Sequence, residues 1–107
     1  YTFILPGSKS LPKVFKKKKT VGIRIPDNII TQSIVKVLGN PIVSSSIRDE
    51  DEILEYTTDP ELIFEKWGKF VDLVIDGGYG GNSASTVIDL TNEPIIVREG
   101  KGSIDIF

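Results

Sequence analysis

The sequence predicts an α/β fold of the α+β kind, a twisted mixed parallel and antiparallel sheet with flanking helices, carried by one domain over residues 1–107. Three observations predict it. Strand-like and helix-like runs alternate along most of the chain, without an internal repeat. Two short apolar runs near the end, separated only by Thr91-Asn92-Glu93, read as a hairpin. A length of 107 residues with 39% apolar content supplies one core and no second domain.

Each element has its own signal. Residues 2–5 are apolar and β-prone, and Pro6-Gly7-Ser8 turns the chain. Residues 11–18 are expected as a short basic helix with Leu11, Val14 and Phe15 on one side. Thr20-Val21-Gly22-Ile23-Arg24-Ile25 reads as a strand stopped by Pro26. Asp27 or Asn28 then caps a helix whose apolar positions Ile30, Ile34, Val37 and Leu38 run to Gly39. Residues 41–47 are expected as a strand and 48–55 as an acidic loop. Asp59-Pro60 starts a helix with Leu62, Ile63, Phe64 and Trp67 on its buried side. Residues 72–76 read as a strand, 77–81 as a glycine turn, and 85–90 and 94–98 as the closing hairpin. The expected core includes Val21, Ile23, Val74, Val87 and Ile96, with Trp67 packing from its helix.

Composition excludes several chemistries. Histidine, cysteine and methionine are all absent, which removes thiol nucleophiles, disulfides, cysteine-based zinc sites and any Ser-His-Asp triad within the chain. No apolar run approaches the ~18 residues of a membrane span and no signal-peptide pattern is present, so no membrane association and a cytoplasmic location are expected. The overall charge of −2 conceals an asymmetry: residues 1–48 carry nine basic groups against Asp27 alone, and residues 49–107 carry four against fourteen acidic groups. Opposite fields of this kind can steer an anion to one face, or simply attract each other on folding.

Two phosphate motifs fail on inspection. Pro6-Gly7-Ser8-Lys9-Ser10 lacks the adjacent Gly-Lys pair of a P-loop, and Asp76-Gly77-Gly78-Tyr79-Gly80-Gly81 lacks the spacing and the following helix of a dinucleotide fingerprint. Polar residues inside strands carry more information. Alternation puts Thr20, Gly22 and Arg24 on one face, where the guanidinium fork suits an anion, unless this is an edge strand with its polar face in water. Ser44 and Ser46 share a direction by the same period of two, and Ser85 and Arg98 place a hydroxyl and a cation beside two further strands. Arg24 and Arg98 are expected to face one shared cavity.

In this order the segments Tyr1-Thr2-Phe3-Ile4-Leu5-Pro6, Thr20-Val21-Gly22-Ile23-Arg24-Ile25-Pro26, Pro41-Ile42-Val43-Ser44-Ser45-Ser46, Asp76-Gly77-Gly78, Ser85-Thr86-Val87-Ile88-Asp89 and Val97-Arg98-Glu99-Gly100 resemble the YrdC/YciO-like family, the YciO branch in particular. The resemblance implies a YrdC-like domain of which this chain is the C-terminal part. It implies an enzyme of the threonylcarbamoyl-AMP synthase type, a nucleotidyltransferase that joins ATP, L-threonine and bicarbonate with release of pyrophosphate, for modification of a tRNA adenosine. ATP with magnesium is the implied cofactor. Carried over by position, Arg24, Ser44 and Ser85 are implied to bind threonine, and Thr20, Ser46 and Arg98 to bind nucleotide. No catalytic side chain and no protein metal ligand is implied, since positioning and charge perform most of phosphoryl transfer.

The pattern departs from the synthases at one place: Ser46-Ile47-Arg48 stands where they have Ser-Ala-Asn. Arg48 is expected to point outward toward Asp49-Glu50-Asp51-Glu52. The competing reading is a nucleotide- or RNA-binding protein without synthase activity, with Lys13 and the run Lys16-Lys17-Lys18-Lys19 against double-stranded RNA or tRNA. In either reading this chain by itself is expected to be inactive.

Overall fold

Short runs of β-branched and apolar residues form four strands, β1 (Thr2–Pro6), β2 (Thr20–Arg24), β3 (Val87–Asp89) and β4 (Ile95–Arg98). The structure, a computed structural model, describes residues 1–15, 17–47 and 58–106. The sheet order is β2-β1-β3-β4, antiparallel between β1 and β2, parallel between β1 and β3, and antiparallel between β3 and β4. The sheet is therefore mixed, as the sequence predicts.

Helix α1 (Ile29–Leu38) begins at Asn28, whose Oδ1 accepts from Ile30 N at 3.0 Å and Thr31 N at 3.2 Å. It ends at Gly39, where φ is 80°, a left-handed turn that favours glycine. Helix α2 (Pro60–Trp67) begins at Asp59, whose Oδ1 accepts from Glu61 N at 2.9 Å, with Pro60 in the first turn. The chain divides into two units, one of residues 1–32 with 84–107 and one of residues 33–83. The whole sheet belongs to the first unit, and α2 belongs to the second.

Register decides which residues share a face. Thr2 pairs with Arg24, Ile4 with Gly22 and Pro6 with Thr20, while Thr2 also pairs with Val87 and Ile4 with Asp89. Val87 pairs in turn with Arg98. Phe3, Leu5, Val21, Ile23, Ile88 and Ile96 therefore lie on the other, apolar face. A shift of register between Val87 and Ile88 leaves Val97 without a partner across the β3–β4 pair.

Several expectations are corrected. Residues 11–18 hold a three-residue 3₁₀ turn, Lys13–Phe15, because so short a run leaves the cost of helix nucleation uncompensated. Residues 41–47 and 72–76 carry no strand, since a strand needs a ladder partner as well as a β-prone composition. The expected core is mostly open: Ile23 is 45% and Ile96 43% exposed, Val21, Val74 and Val87 are half-buried, and only Ile88 and Thr86 are fully buried among the described residues. Trp67 is 36% exposed, and Leu62, Phe64, Val37 and Leu38 are more so. A sheet of four short strands buries both of its faces only against further layers. Arg48 and the acidic run beside it lie outside the described residues.

Candidate functional site

The polar face of the sheet carries one transverse row, Arg24 on β2, Thr2 on β1, Val87 on β3 and Arg98 on β4. Three steps between neighbouring strands separate the two arginines, roughly 14 Å from backbone to backbone at ~4.8 Å per step. The row thus sets one guanidinium at each end of the sheet with hydroxyls between them. Arg24 and Arg98 thus share a sheet face, and the recess at the β1–β2 connection is lined by neither of them.

The hydroxyls converge at Ser85. Its Oγ lies 2.6 Å from Thr2 Oγ1 and 3.3 Å from Arg98 Nη2. Arg98 also donates from Nε at 3.0 Å and from Nη2 at 2.9 Å to the carbonyl oxygen of Ser85. One edge of its guanidinium is thereby fixed, and Nη1 makes no hydrogen bond among the described residues. Thr2 N donates to Thr86 O at 2.7 Å, extending the parallel ladder toward Ser85.

Below this group Thr86 is fully buried, donating to Gly102 O at 2.5 Å and accepting from Gly100 N at 2.9 Å. Gly100 packs directly on Ala84 and Ser85, where a Cβ would meet backbone atoms. The segment after β4 is therefore held flat against the segment before β3. Arg98, one end of β4, inherits its position from that clamp.

Arg24 is exposed and forms no hydrogen bond or ion pair among the described residues. Gly22 lies between Thr20 and Arg24 on β2, and an added Cβ there would meet only Thr2 Cγ2, at 3.6 Å. The face between the two side chains is open, as the alternation predicts. Asp89, two residues along β3 from Val87, accepts from Thr91 Oγ1 at 2.6 Å and Thr91 N at 2.9 Å. These two bonds, the hydroxyl's first, hold its carboxyl below the usual carboxylate range.

Ser44 and Ser46 are exposed in the extended segment 41–47, within the second unit. The turn at Asp76-Gly77-Gly78 also lies there, with Gly78 at φ 85° and its N–H donating to Asp76 Oδ1 at 2.9 Å. The structure thus brings Thr20, Arg24 and Arg98 onto one sheet, with Ser85 just before β3 in the same unit, and places Ser44 and Ser46 in the other unit.

A family model described as "Telomere recombination", Sua5_yciO_yrdC, matches residues 1–100. The chain belongs to the Sua5/YciO/YrdC family. It is 45% identical over its whole length to the uncharacterized protein YciO of Escherichia coli K12, and 48% identical over 96% of its length to an uncharacterized protein of Haemophilus influenzae. It also superposes on a crystal structure of E. coli YciO with a TM-score of 0.87 and 42% identity, covering 98% of this chain and 52% of that one. The chain spans about half the length of these relatives, 53% and 51% of the two sequences.

Within this Sua5/YciO/YrdC chain, sequence reasoning missed two members of the group. Thr2 lies in an apolar opening run and Thr86 within the strand-like segment 85–90, and both look like ordinary β-prone residues. Alternation alone gave a signal for Thr2, because it faces away from Tyr1, Phe3 and Leu5. Among the described residues no helix of the family member is long and apolar enough to cross a membrane, and none of its His, Cys, Asp or Glu side chains gather in threes.

Proposed function

We propose that the protein containing this chain is a nucleotide-dependent enzyme of the threonylcarbamoyl-AMP synthase type. It combines ATP, L-threonine and bicarbonate, and its product serves the modification of a tRNA adenosine. The observation that carries the reading is the row from Arg24 to Arg98, which sets one arginine on each outer strand of one sheet face with the Thr2 hydroxyl between them. Two arginines on one face suit a ligand that carries both a carboxylate and a phosphate, each guanidinium taking one anion.

In this reading Arg24 receives the threonine carboxylate as a bidentate partner, and Ser85 orients the amino acid. Arg98 and Thr20 receive the nucleotide. The carbamate formed from threonine attacks the α-phosphate and pyrophosphate leaves, so the protein supplies placement and charge rather than a proton-transfer side chain. Magnesium would arrive on the phosphates with its waters, a mode that needs few protein carboxylates.

The test is pyrophosphate release by the full-length protein, measured with and without threonine and with and without bicarbonate. Release that needs both supports the reading. ATP binding by the folded protein without any release would sink it and favour the second reading, nucleotide or RNA binding alone.

A further inference from the structure

Away from the arginine row, the connection from β1 to β2 forms a recess of about 440 Å³ lined by Gly7, Ser8, Lys9, Leu11, Phe15, Lys18 and Lys19. Four backbone bonds hold its walls: Gly7 N to Lys19 O at 2.8 Å, Leu11 N to Ser8 O at 3.3 Å, Phe15 N to Pro12 O at 2.9 Å and Lys18 N to Phe15 O at 2.9 Å. A Cβ at Gly7 would sit close to Leu11 Cδ1, at 3.2 Å. Leu11 and Phe15 are half-buried and supply the apolar part of the lining.

We propose that this recess is a second anion site, one that takes a multiply charged phosphate-type group. The loop carries six lysines, and residues 1–26 contain no carboxylate at all. Lys9, Lys18 and Lys19 make no ion pair among the described residues. Cations concentrated this way repel one another, and an anion between them removes that repulsion. A carboxylate would satisfy one ammonium group. A phosphate offers several acceptor oxygens to lysines, which act as point charges without a preferred plane, and to the Ser8 hydroxyl. The backbone bonds at Gly7–Lys19 and Lys18–Phe15 tie Lys18 and Lys19 to the rest of the recess.

The phosphate can belong to a free polyphosphate or to a nucleic-acid backbone, and the experiment separates them. Full-length protein is titrated with inorganic tripolyphosphate and, separately, with a short RNA duplex at several salt concentrations. It is compared with a Lys9→Ala/Lys18→Ala/Lys19→Ala variant and with Lys36→Ala, an exposed lysine of α1 outside both sites, each checked for folding by its thermal transition. The triple variant should weaken at least one probe by about tenfold or more, and Lys36→Ala should leave that probe's binding in place. Loss of tripolyphosphate binding assigns the free anion. Loss confined to the duplex, with a salt slope reduced by about the number of phosphate contacts removed, assigns the backbone. Binding of both probes within twofold of the unmodified protein in the triple variant would overturn the proposal, as would no binding of either probe by the unmodified protein. Because Arg98 is left intact in the triple variant, failure here leaves the pyrophosphate-release reading untouched.

Discussion

Replacing Thr86 with valine keeps shape and volume but removes the hydroxyl that donates to Gly102 O and accepts from Gly100 N. Each of these bonds contributes a net ~1 kcal/mol, and a partner left without one costs between ~1 and ~3 kcal/mol according to how well water reaches it. Gly100 is exposed and Gly102 half-buried, so the low end applies to both. The expected loss is about 2 kcal/mol, which for a protein of roughly twice this length lowers the melting temperature by about 4–8 °C. Denaturant unfolding of full-length Thr86→Val measures it, with Thr86→Ser as the control that retains the hydroxyl and gives up one methyl. Amide exchange at Gly100 should quicken in the valine variant, because its N–H loses its partner. A Thr86→Val midpoint within about 0.5 kcal/mol of the unmodified protein would refute the assignment of Thr86 as the clamp beneath Arg98.

Under the proposed synthase function, Thr2→Val, which removes the hydroxyl beside Ser85 Oγ without altering volume, should raise the KM for threonine several-fold while the fold is kept; rescue by Thr2→Ser separates this from a packing effect. Gly100→Ala drives a Cβ into the Ala84 and Ser85 backbone and should destabilise by about 2 kcal/mol or more, read by denaturant unfolding. Asp89 has a depressed folded pKa, so its contribution is present above the unfolded value and is lost as the pH falls through the folded one. Thr91→Val, which removes the larger cause, should move the Asp89 titration upward in an NMR experiment, and an unmoved titration would contradict the cause assigned.

The four strands that pair were legible because each is a short β-prone run bounded by turn residues, and both helix starts were legible because Asn28 and Asp59 cap them locally. Residues 41–47 and 72–76 misled for a related reason. Their composition is β-prone, but pairing is a property of distant segments that composition does not record. Burial was the least legible quantity. Ile23 and Ile96 occupy the apolar face as expected, yet a face is buried only by whatever layer lies on it, and the strand sequence says nothing of that layer. At the site, Arg24 and Thr20 were readable from a single strand. The meeting of Thr2 with Ser85 was not, because 83 residues separate them in the chain.

The unpaired Val97 resets the phase of β4. Strict alternation would give Ile96 and Arg98 the same direction, so a regular ladder that kept Ile96 opposite Ile88 would send Arg98 to the apolar side. One additional residue between them lets Ile96 stay with Ile88 while Arg98 rises opposite Val87. The second end of the arginine row therefore exists through a miscount between two strands. Lengthening or shortening β4 by one residue beyond Val97 would invert the outlook of Arg98 without changing its chemistry, so insertions here should be far less tolerated than in the turn Thr91-Asn92-Glu93.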